Sequence, residues 1–162
     1  MARKLNIAGS VTLLGAGFSA PHDTPEAVTR EILPMGREIV PRTVLVVDDE
    51  PLIRWSLSEG LAEAGWIVRQ AATGVETRLA LETLEGEPFV VVLDLRLPDV
   101  ADLSLVEEVR RRRPDVPVIV MSAHGSLEDI RRVRAAGVYR FIDKPFDVHA
   151  VVDLVRSAAD TF

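Results

Sequence analysis

The chain has 162 residues, of which 48% are hydrophobic and 27% are charged, as is usual for a globular protein of one ordinary domain. The net charge of −6, without an extended basic stripe, argues against direct binding of nucleic acid. Because the chain lacks cysteine, disulfides and thiolate metal sites are excluded, and no apolar run approaches the roughly 18 residues of a membrane-spanning helix. We therefore expect a cytoplasmic protein without membrane association.

The first 41 residues differ in composition from the rest of the chain. They carry four prolines, four glycines and no sustained periodicity. We therefore expect residues 1–41 to form a flexible or poorly structured extension and residues 42–162 to form the folded domain. Residues 11–20 match a dinucleotide-binding fingerprint, but Pro21 and Pro25 interrupt the helix that such a fingerprint requires.

From residue 43 onward, short apolar runs alternate with helical patterns. The predicted strands are 44–47, 66–71, 89–93, 117–121 and 139–142, and the predicted helices are 49–64, 73–84, 103–112, 126–136 and 147–159. Strict alternation with short connections predicts an α/β fold with a doubly wound, five-stranded parallel sheet. The flavodoxin-like strand order 2-1-3-4-5 is the prediction, and an incomplete Rossmann half is the alternative.

Two of the predicted strands end in carboxylates. Asp48 and Asp49 follow the first strand, and Asp94 follows the third. Because ligands bind beyond the carboxyl ends of parallel strands where the strand order reverses, we expect these three side chains in one crevice. Clustered carboxylates raise each other's pKa unless a cation joins them, and oxygen ligands with room for water favour Mg²⁺.

The fourth and fifth strands add a hydroxyl and an ammonium to the same edge. Ser122 follows the fourth strand, and Lys144 follows the fifth. Pro145 disfavours helical geometry at Lys144, so we expect an extended lysine that reaches into the crevice. A metal, a lysine and a hydroxyl suit a phosphoryl group, and a carboxylate can act as the nucleophile that forms an aspartyl-phosphate.

Four motifs occur in order, each at a predicted strand end: V-L-V-V-D-D-E-P, L-D-L-R-L-P-D, V-I-V-M-S-A-H-G and F-I-D-K-P-F. Together they make residues 43–160, about three quarters of the chain, resemble the receiver domain of bacterial two-component response regulators. The segment that follows Ser122 resembles receivers of transcriptional regulators more than those of chemotaxis proteins.

The resemblance implies a role for each matching residue. Asp94 would accept a phosphoryl group from a sensor histidine kinase or a phosphotransfer protein. Asp49, Asp94 and the backbone carbonyl of Arg96 would hold Mg²⁺, and Asp48 would assist through water. Lys144 would neutralise a phosphoryl oxygen.

The resemblance also implies a conformational switch. Ser122 would turn to bond another phosphoryl oxygen, and Phe141 would follow inward and reshape the face made by the fourth helix, fifth strand and fifth helix. That face would contact a downstream protein target and support a homodimer. Arg96 and His124 resemble residues that tune the phosphoryl lifetime. The glycine usual before the third helix is missing, and we expect Asp102 to cap that helix instead.

We therefore predict a phosphoryl-accepting signalling switch that is not an enzyme beyond self-catalysed phosphorylation and dephosphorylation. One alternative is a phosphate-independent pseudo-receiver, although Asp49, Asp94 and Lys144 are all retained. Another is an aspartyl-phosphate phosphatase, which needs an aspartate where this chain has Arg96. The sequence leaves open the kinase, the target, and whether the chain is complete or a fragment of a regulator with an output domain.

Overall fold

A computed structural model of the protein describes residues 42–100, 103–123 and 127–161. The predicted N-terminal extension, Asp102 and His124 lie outside these ranges, so their predicted roles stay predictions. Five strands and five helices lie in the described part: β1 Thr43–Val47, α1 Pro51–Glu63, β2 Ile67–Ala71, α2 Gly74–Thr83, β3 Phe89–Asp94, α3 Ser104–Arg112, β4 Val118–Ser122, α4 Leu127–Ala135, β5 Arg140–Asp143 and α5 Val148–Ala159. The bounds agree with the predicted ones to within two residues.

The strands form one parallel sheet in the order β2-β1-β3-β4-β5. This confirms the predicted flavodoxin-like topology. The strand order reverses at β1, which pairs with β2 on one side and with β3 on the other. The carboxyl ends of β1 and β3 therefore flank the switch point, where ligands bind in folds of this type.

Helices cover both faces of the sheet. Along β1, Val44 and Val46 pack in a cluster with α1 and α5, whereas Leu45 and Val47 pack in a second cluster with α2, α3 and α4. The strand residues of β1 and β3 are buried on both faces. This is why these strands are continuous apolar runs in the sequence rather than alternating ones.

Local signals set the helix ends near the site. Pro51 occupies the first turn of α1, and Gly65, with a φ of +86°, lies just beyond the end of that helix. At the start of α2 the Thr73 hydroxyl accepts the Glu76 N–H at 3.1 Å, and the Glu76 carboxylate accepts the Ala72 N–H at 2.6 Å. No helix in the described ranges is long and apolar enough to span a bilayer.

The elements around the sheet differ in how many of their residues are buried. β5 is an edge strand whose residues are exposed or half-buried, and α4 buries only Val133. By contrast, α5 buries five residues against the opposite face. The carboxyl end of β5 nevertheless bears the lysine that the sequence analysis singled out.

Candidate functional site

Four of the predicted site residues lie at one edge of the sheet. Asp48 follows β1, Asp94 ends β3, Ser122 ends β4, and Lys144 follows β5. The backbone N–H of Lys144 donates to the Ser122 carbonyl at 2.8 Å, which continues the β4–β5 pairing beyond β5. The parallel strands thus present two carboxylates, a hydroxyl and an ammonium at the same edge.

Lys144 is the centre of the site. Its Nζ lies 2.6 Å from Oδ2 of Asp94, 2.9 Å from Oδ2 of Asp48 and 3.0 Å from Oε1 of Glu50. The side chains of Lys144 and Asp94 are 7% and 6% exposed and that of Asp48 is fully buried, whereas that of Glu50 is 58% exposed. One ammonium is therefore shared by two buried carboxylates and one at the surface.

Burial and charge act in opposite directions on the pKa values of this cluster. For Asp48, burial is the largest influence and raises the pKa above the usual aspartate value, although Lys144 and the Glu50 N–H act to lower it. For Lys144, burial disfavours the charged form, but hydrogen bonding to Asp94 and the contacts with Asp48 and Glu50 outweigh it and raise the pKa. The lysine is therefore a permanent cation at neutral pH.

The donor set fits a hard divalent cation. Carboxylate oxygens of Asp48, Glu50 and Asp94 lie within 4.8 Å of one another. Oδ2 of Asp48 is buried and makes no hydrogen bond within the described ranges: Lys144 Nζ is at ion-pair distance, but it does not approach in hydrogen-bond geometry. Three carboxylates and one ammonium leave two negative charges uncompensated, and oxygen-only ligands suit Mg²⁺.

Glu50 is a site residue that the sequence analysis missed. It occupies the N-cap position of α1 but makes no side-chain cap hydrogen bond, and its carboxylate contacts Lys144 instead. The sequence signal is the run of three acids before Pro51, since a helix start needs only one of them. Asp49 is exposed and is not in the cluster found among the described residues, so its metal-binding role stays a prediction.

Backbone N–H groups fix the two buried carboxylates, and an arginine holds the main chain beside one of them. The Arg96 N–H donates to Oδ1 of Asp94 at 3.0 Å, and the Glu50 N–H donates to Oδ1 of Asp48 at 2.8 Å. Arg54, a second residue that the sequence analysis missed, donates from Nη1 to the Asp48 carbonyl at 2.6 Å. Each carboxylate is thereby held on its Oδ1 side, which leaves Oδ2 directed towards Lys144.

The two predicted switch residues lie in β4 and β5. Ser122 is fully buried at the end of β4, and Phe141 is half-buried in β5 against the core cluster beneath α2, α3 and α4. Phe141 also lines an open groove of about 290 Å³ between α4 and β5, together with Ile130 and Arg134. Phe141 therefore lies beside α4, and Ser122 is hydrogen-bonded through its carbonyl to the backbone of Lys144.

The chain matches a family model described as the response regulator receiver domain over residues 44–156. It is 37% identical over 116 residues to the DNA-binding transcriptional regulator NtrC of Escherichia coli K12. This match covers 71% of this chain and 24% of that protein. It is 36% identical over 117 residues to the probable transcriptional regulatory protein TcrX of Mycobacterium tuberculosis. This match covers 72% of this chain and 49% of that protein. The chain thus spans between a quarter and a half of the length of these relatives.

Solved structures show the same similarity in three dimensions. The beryllofluoride-activated NtrC4 receiver domain dimer has a TM-score of 0.67 and 35% identity, and the match covers 73% of this chain and 96% of that one. The receiver domain of NtrX from Brucella abortus has a TM-score of 0.67 and 31% identity, with coverage of 74% and 99%. A CheY-like receiver from Methanospirillum hungatei has a TM-score of 0.68 and 29% identity, with coverage of 75% and 95%.

Proposed function

Because the chain belongs to the family of response regulator receiver domains, we propose that its folded domain, residues 42–162, is a signalling switch phosphorylated on Asp94. The observation that supports this most strongly is the 2.6 Å contact between Lys144 Nζ and Oδ2 of Asp94, at a strand end beside two further carboxylates. In this proposal Lys144 neutralises a phosphoryl oxygen, and the position of Asp94 at a strand end beside the switch point supports its role as the nucleophile.

The chemistry is phosphoryl transfer to a carboxylate. A carboxylate oxygen of Asp94 attacks phosphorus, the P–N bond of a donor phosphohistidine breaks, and the departing imidazole nitrogen keeps the electron pair and takes a proton. Asp48, Asp49, Asp94 and the Arg96 carbonyl would hold Mg²⁺, which when bound supplies charge neutralisation for the phosphoryl oxygens. The Arg96 N–H positions Asp94 through its Oδ1.

The phosphoryl donor is a sensor histidine kinase or a phosphotransfer protein, and Mg²⁺ is the cofactor. Phosphorylation turns the Ser122 hydroxyl towards the new phosphoryl group and draws Phe141 inward. The half-buried position of Phe141 and the single buried residue of α4 support this step, because little packing opposes movement there. The face of α4, β5 and α5 then contacts a downstream protein or a second copy of the chain.

The remaining assignments rest on the resemblance to receiver domains and on the composition of the chain. Arg96 and His124 set the lifetime of the aspartyl-phosphate, and the domain contributes no catalysis beyond its own phosphorylation and dephosphorylation. We place the protein in the cytoplasm, where its donor and a protein target would act, and we assign no membrane or direct nucleic-acid contact to this domain.

Intact mass spectrometry tests the proposal. The full chain is incubated with Mg²⁺ and acetyl phosphate beside Asp94→Asn, with Asp153→Asn on the exposed side of α5 as a matched control. We expect one added phosphoryl group on the wild type and the control, none on Asp94→Asn, and none without Mg²⁺. A wild type that takes up no phosphoryl group and binds no beryllofluoride would favour a phosphate-independent pseudo-receiver.

A further inference from the structure

Glu50 is used differently from an ordinary helix-capping residue. It occupies the N-cap of α1 with extended backbone (φ −77°, ψ 111°), and its side chain makes no cap hydrogen bond. Its backbone N–H is already engaged by Asp48 Oδ1, and Pro51, which follows, has no N–H to donate. The helix therefore does not use the Glu50 carboxylate, which extends to Lys144 at 3.0 Å.

The three contacts of Lys144 are unequal. Asp48 and Asp94 are buried, so their attraction to the ammonium acts in a medium of low dielectric and is screened little by salt. The Glu50 side chain is 58% exposed, so its ion pair is the weakest of the three and is sensitive to salt. When a phosphoryl oxygen arrives at Lys144, the contact with Glu50 is the one that is lost most easily.

Glu50 also sets the charge at the entrance to the site. It is the one exposed member of the acidic cluster in the described part of the chain, and the cluster with Lys144 has two uncompensated negative charges. A phosphoryl donor is an anion, so it is repelled as it approaches. Because Glu50 lies at the surface, this repulsion decays over a Debye length of about 10 Å at 0.1 M salt.

From these observations we propose that Glu50 is a gating and positioning residue of the phosphoacceptor site. In the unphosphorylated protein its carboxylate restrains Lys144 and repels anionic donors, and it releases Lys144 when a phosphoryl oxygen takes its place. The inference rests on the proposed phosphorylation of Asp94. It predicts that the charge of the donor, as well as its phosphoryl group, determines how fast Asp94 is modified.

The first test observes the ammonium group of Lys144 by NMR and needs no phosphorylation. The chain has only two lysines, Lys4 and Lys144, so ¹⁵N labelling of lysine side chains gives two ammonium signals, which Lys4→Arg assigns. We expect Glu50→Gln to move the Lys144 signal and to speed its hydrogen exchange with water. Glu63→Gln, at the exposed far end of the same helix, removes the same charge and is expected to leave the signal in place.

The second test measures how the charge of Glu50 affects the rate of phosphorylation. Phosphorylation rates are measured at saturating Mg²⁺ with acetyl phosphate, a dianion at neutral pH, and with phosphoramidate, a monoanion. We expect Glu50→Gln to react about fivefold faster than wild type with acetyl phosphate at low salt, since the interaction of one unit charge with a dianion about 8 Å away in water is worth about that factor. The gain is expected to shrink at high salt and with phosphoramidate, and Glu63→Gln is expected to match wild type.

One further variant and one further measurement complete the experiment. Glu50→Asp keeps the charge but shortens the side chain, so it is expected to move the Lys144 signal while it keeps the wild-type salt dependence. Calorimetric titration with Mg²⁺ gives the concentration that saturates each variant, and Glu50→Gln is expected to bind Mg²⁺ several-fold more weakly because one of the three clustered carboxylates is neutralised.

The inference is overturned if Glu50→Gln leaves the Lys144 signal unchanged, or if its rate gain is the same at every salt concentration and for both donors. These results are distinct from a failure of the proposed function. In that case the wild type itself would take up no phosphoryl group at Asp94, whereas the lysine signals would still report on the contact with Glu50.

Discussion

The sheet has a firm side, formed by β1, β3 and α5, and a loosely held side, formed by β5 and α4. On one side, every residue of β1 and β3 is buried, and α5 buries five residues against them. On the other, β5 is half exposed, and α4 buries Val133 alone. The proposed acceptor Asp94 belongs to the firm side, whereas Lys144 follows the loosely held strand and is bound to the firm side by its carboxylate contacts.

This difference indicates where a chemical change at Asp94 can have a structural effect. The residues of β1 and β3 are all buried, so the backbone that carries the two buried carboxylates is held firmly. The packing around α4 and β5 opposes movement far less, because stability within a protein is lowest where few apolar contacts are buried. The contacts of Lys144 and Ser122 therefore connect a rigid site to a region that can respond.

Matched core truncations give the largest expected difference between the two sides. Val155 in α5 and Val133 in α4 are both fully buried valines in helices, and each is replaced by alanine. We expect Val155→Ala to lower the free energy of unfolding by about 2–3 kcal/mol, and Val133→Ala to lower it by roughly half as much because its surroundings can collapse. Urea unfolding followed by circular dichroism measures both. Equal losses would show that α4 is packed as firmly as α5.

The fold could be predicted well from the sequence for two reasons. Fully buried parallel strands are continuous apolar runs, and glycine or proline marks the ends of several helices. The sequence also placed Asp48, Asp94 and Lys144 at strand ends, and the structure brings those three side chains together. It could not indicate that Glu50 contacts Lys144, because the direction of an N-cap side chain depends on its rotamer and on a residue 94 positions away. The roles assigned to these residues remain predictions.

The loop between β3 and α3, which follows the proposed acceptor, is tied to α2. A Cβ on Gly74 would lie 2.1 Å from Cγ2 of Val100, so any larger residue must displace the Val100 side chain. We expect Gly74→Ala to lower the free energy of unfolding by about 1–3 kcal/mol through overpacking. Thermal and urea unfolding measure the loss, and Val100→Ala added to Gly74→Ala is expected to recover part of it. A double variant no better than Gly74→Ala would place the strain elsewhere.

Hydrogen exchange measures the difference between the two sides of the sheet without any substitution. Amides in α4 and β5 are expected to exchange at least about tenfold faster than those in β1 and β3, because local opening costs less where little apolar surface is buried. Mass spectrometry of peptides from the native protein measures this. After beryllofluoride is added, slower exchange is expected in α4 and β5, with little change in β1 and β3. Uniform protection across the sheet would remove the proposed distinction between a rigid and a responsive side.

The smallest expected effect concerns acid sensitivity at the start of α2, where Asp99 makes a contact that no local periodicity could have predicted. Its carboxylate accepts the Gly74 N–H at 2.9 Å and the Val75 N–H at 3.2 Å. The bond from Gly74 is the largest influence that lowers the pKa of Asp99 below its usual value, and the bond from Val75 adds to it. Asp99 therefore binds a proton less readily in the folded chain than in the unfolded chain.

Its contribution to stability is accordingly complete above the unfolded pKa of about 3.9 and is lost as the pH falls through the lower, folded value. We expect Asp99→Asn to be less stable than wild type at pH 7, and the difference to shrink as the pH is lowered through that range. Urea midpoints measured from neutral pH downward test this, with Asp153→Asn as a surface-charge control. If the difference between Asp99→Asn and wild type were the same at every pH, the ionised carboxylate would not be what fastens the loop after Asp94 to α2.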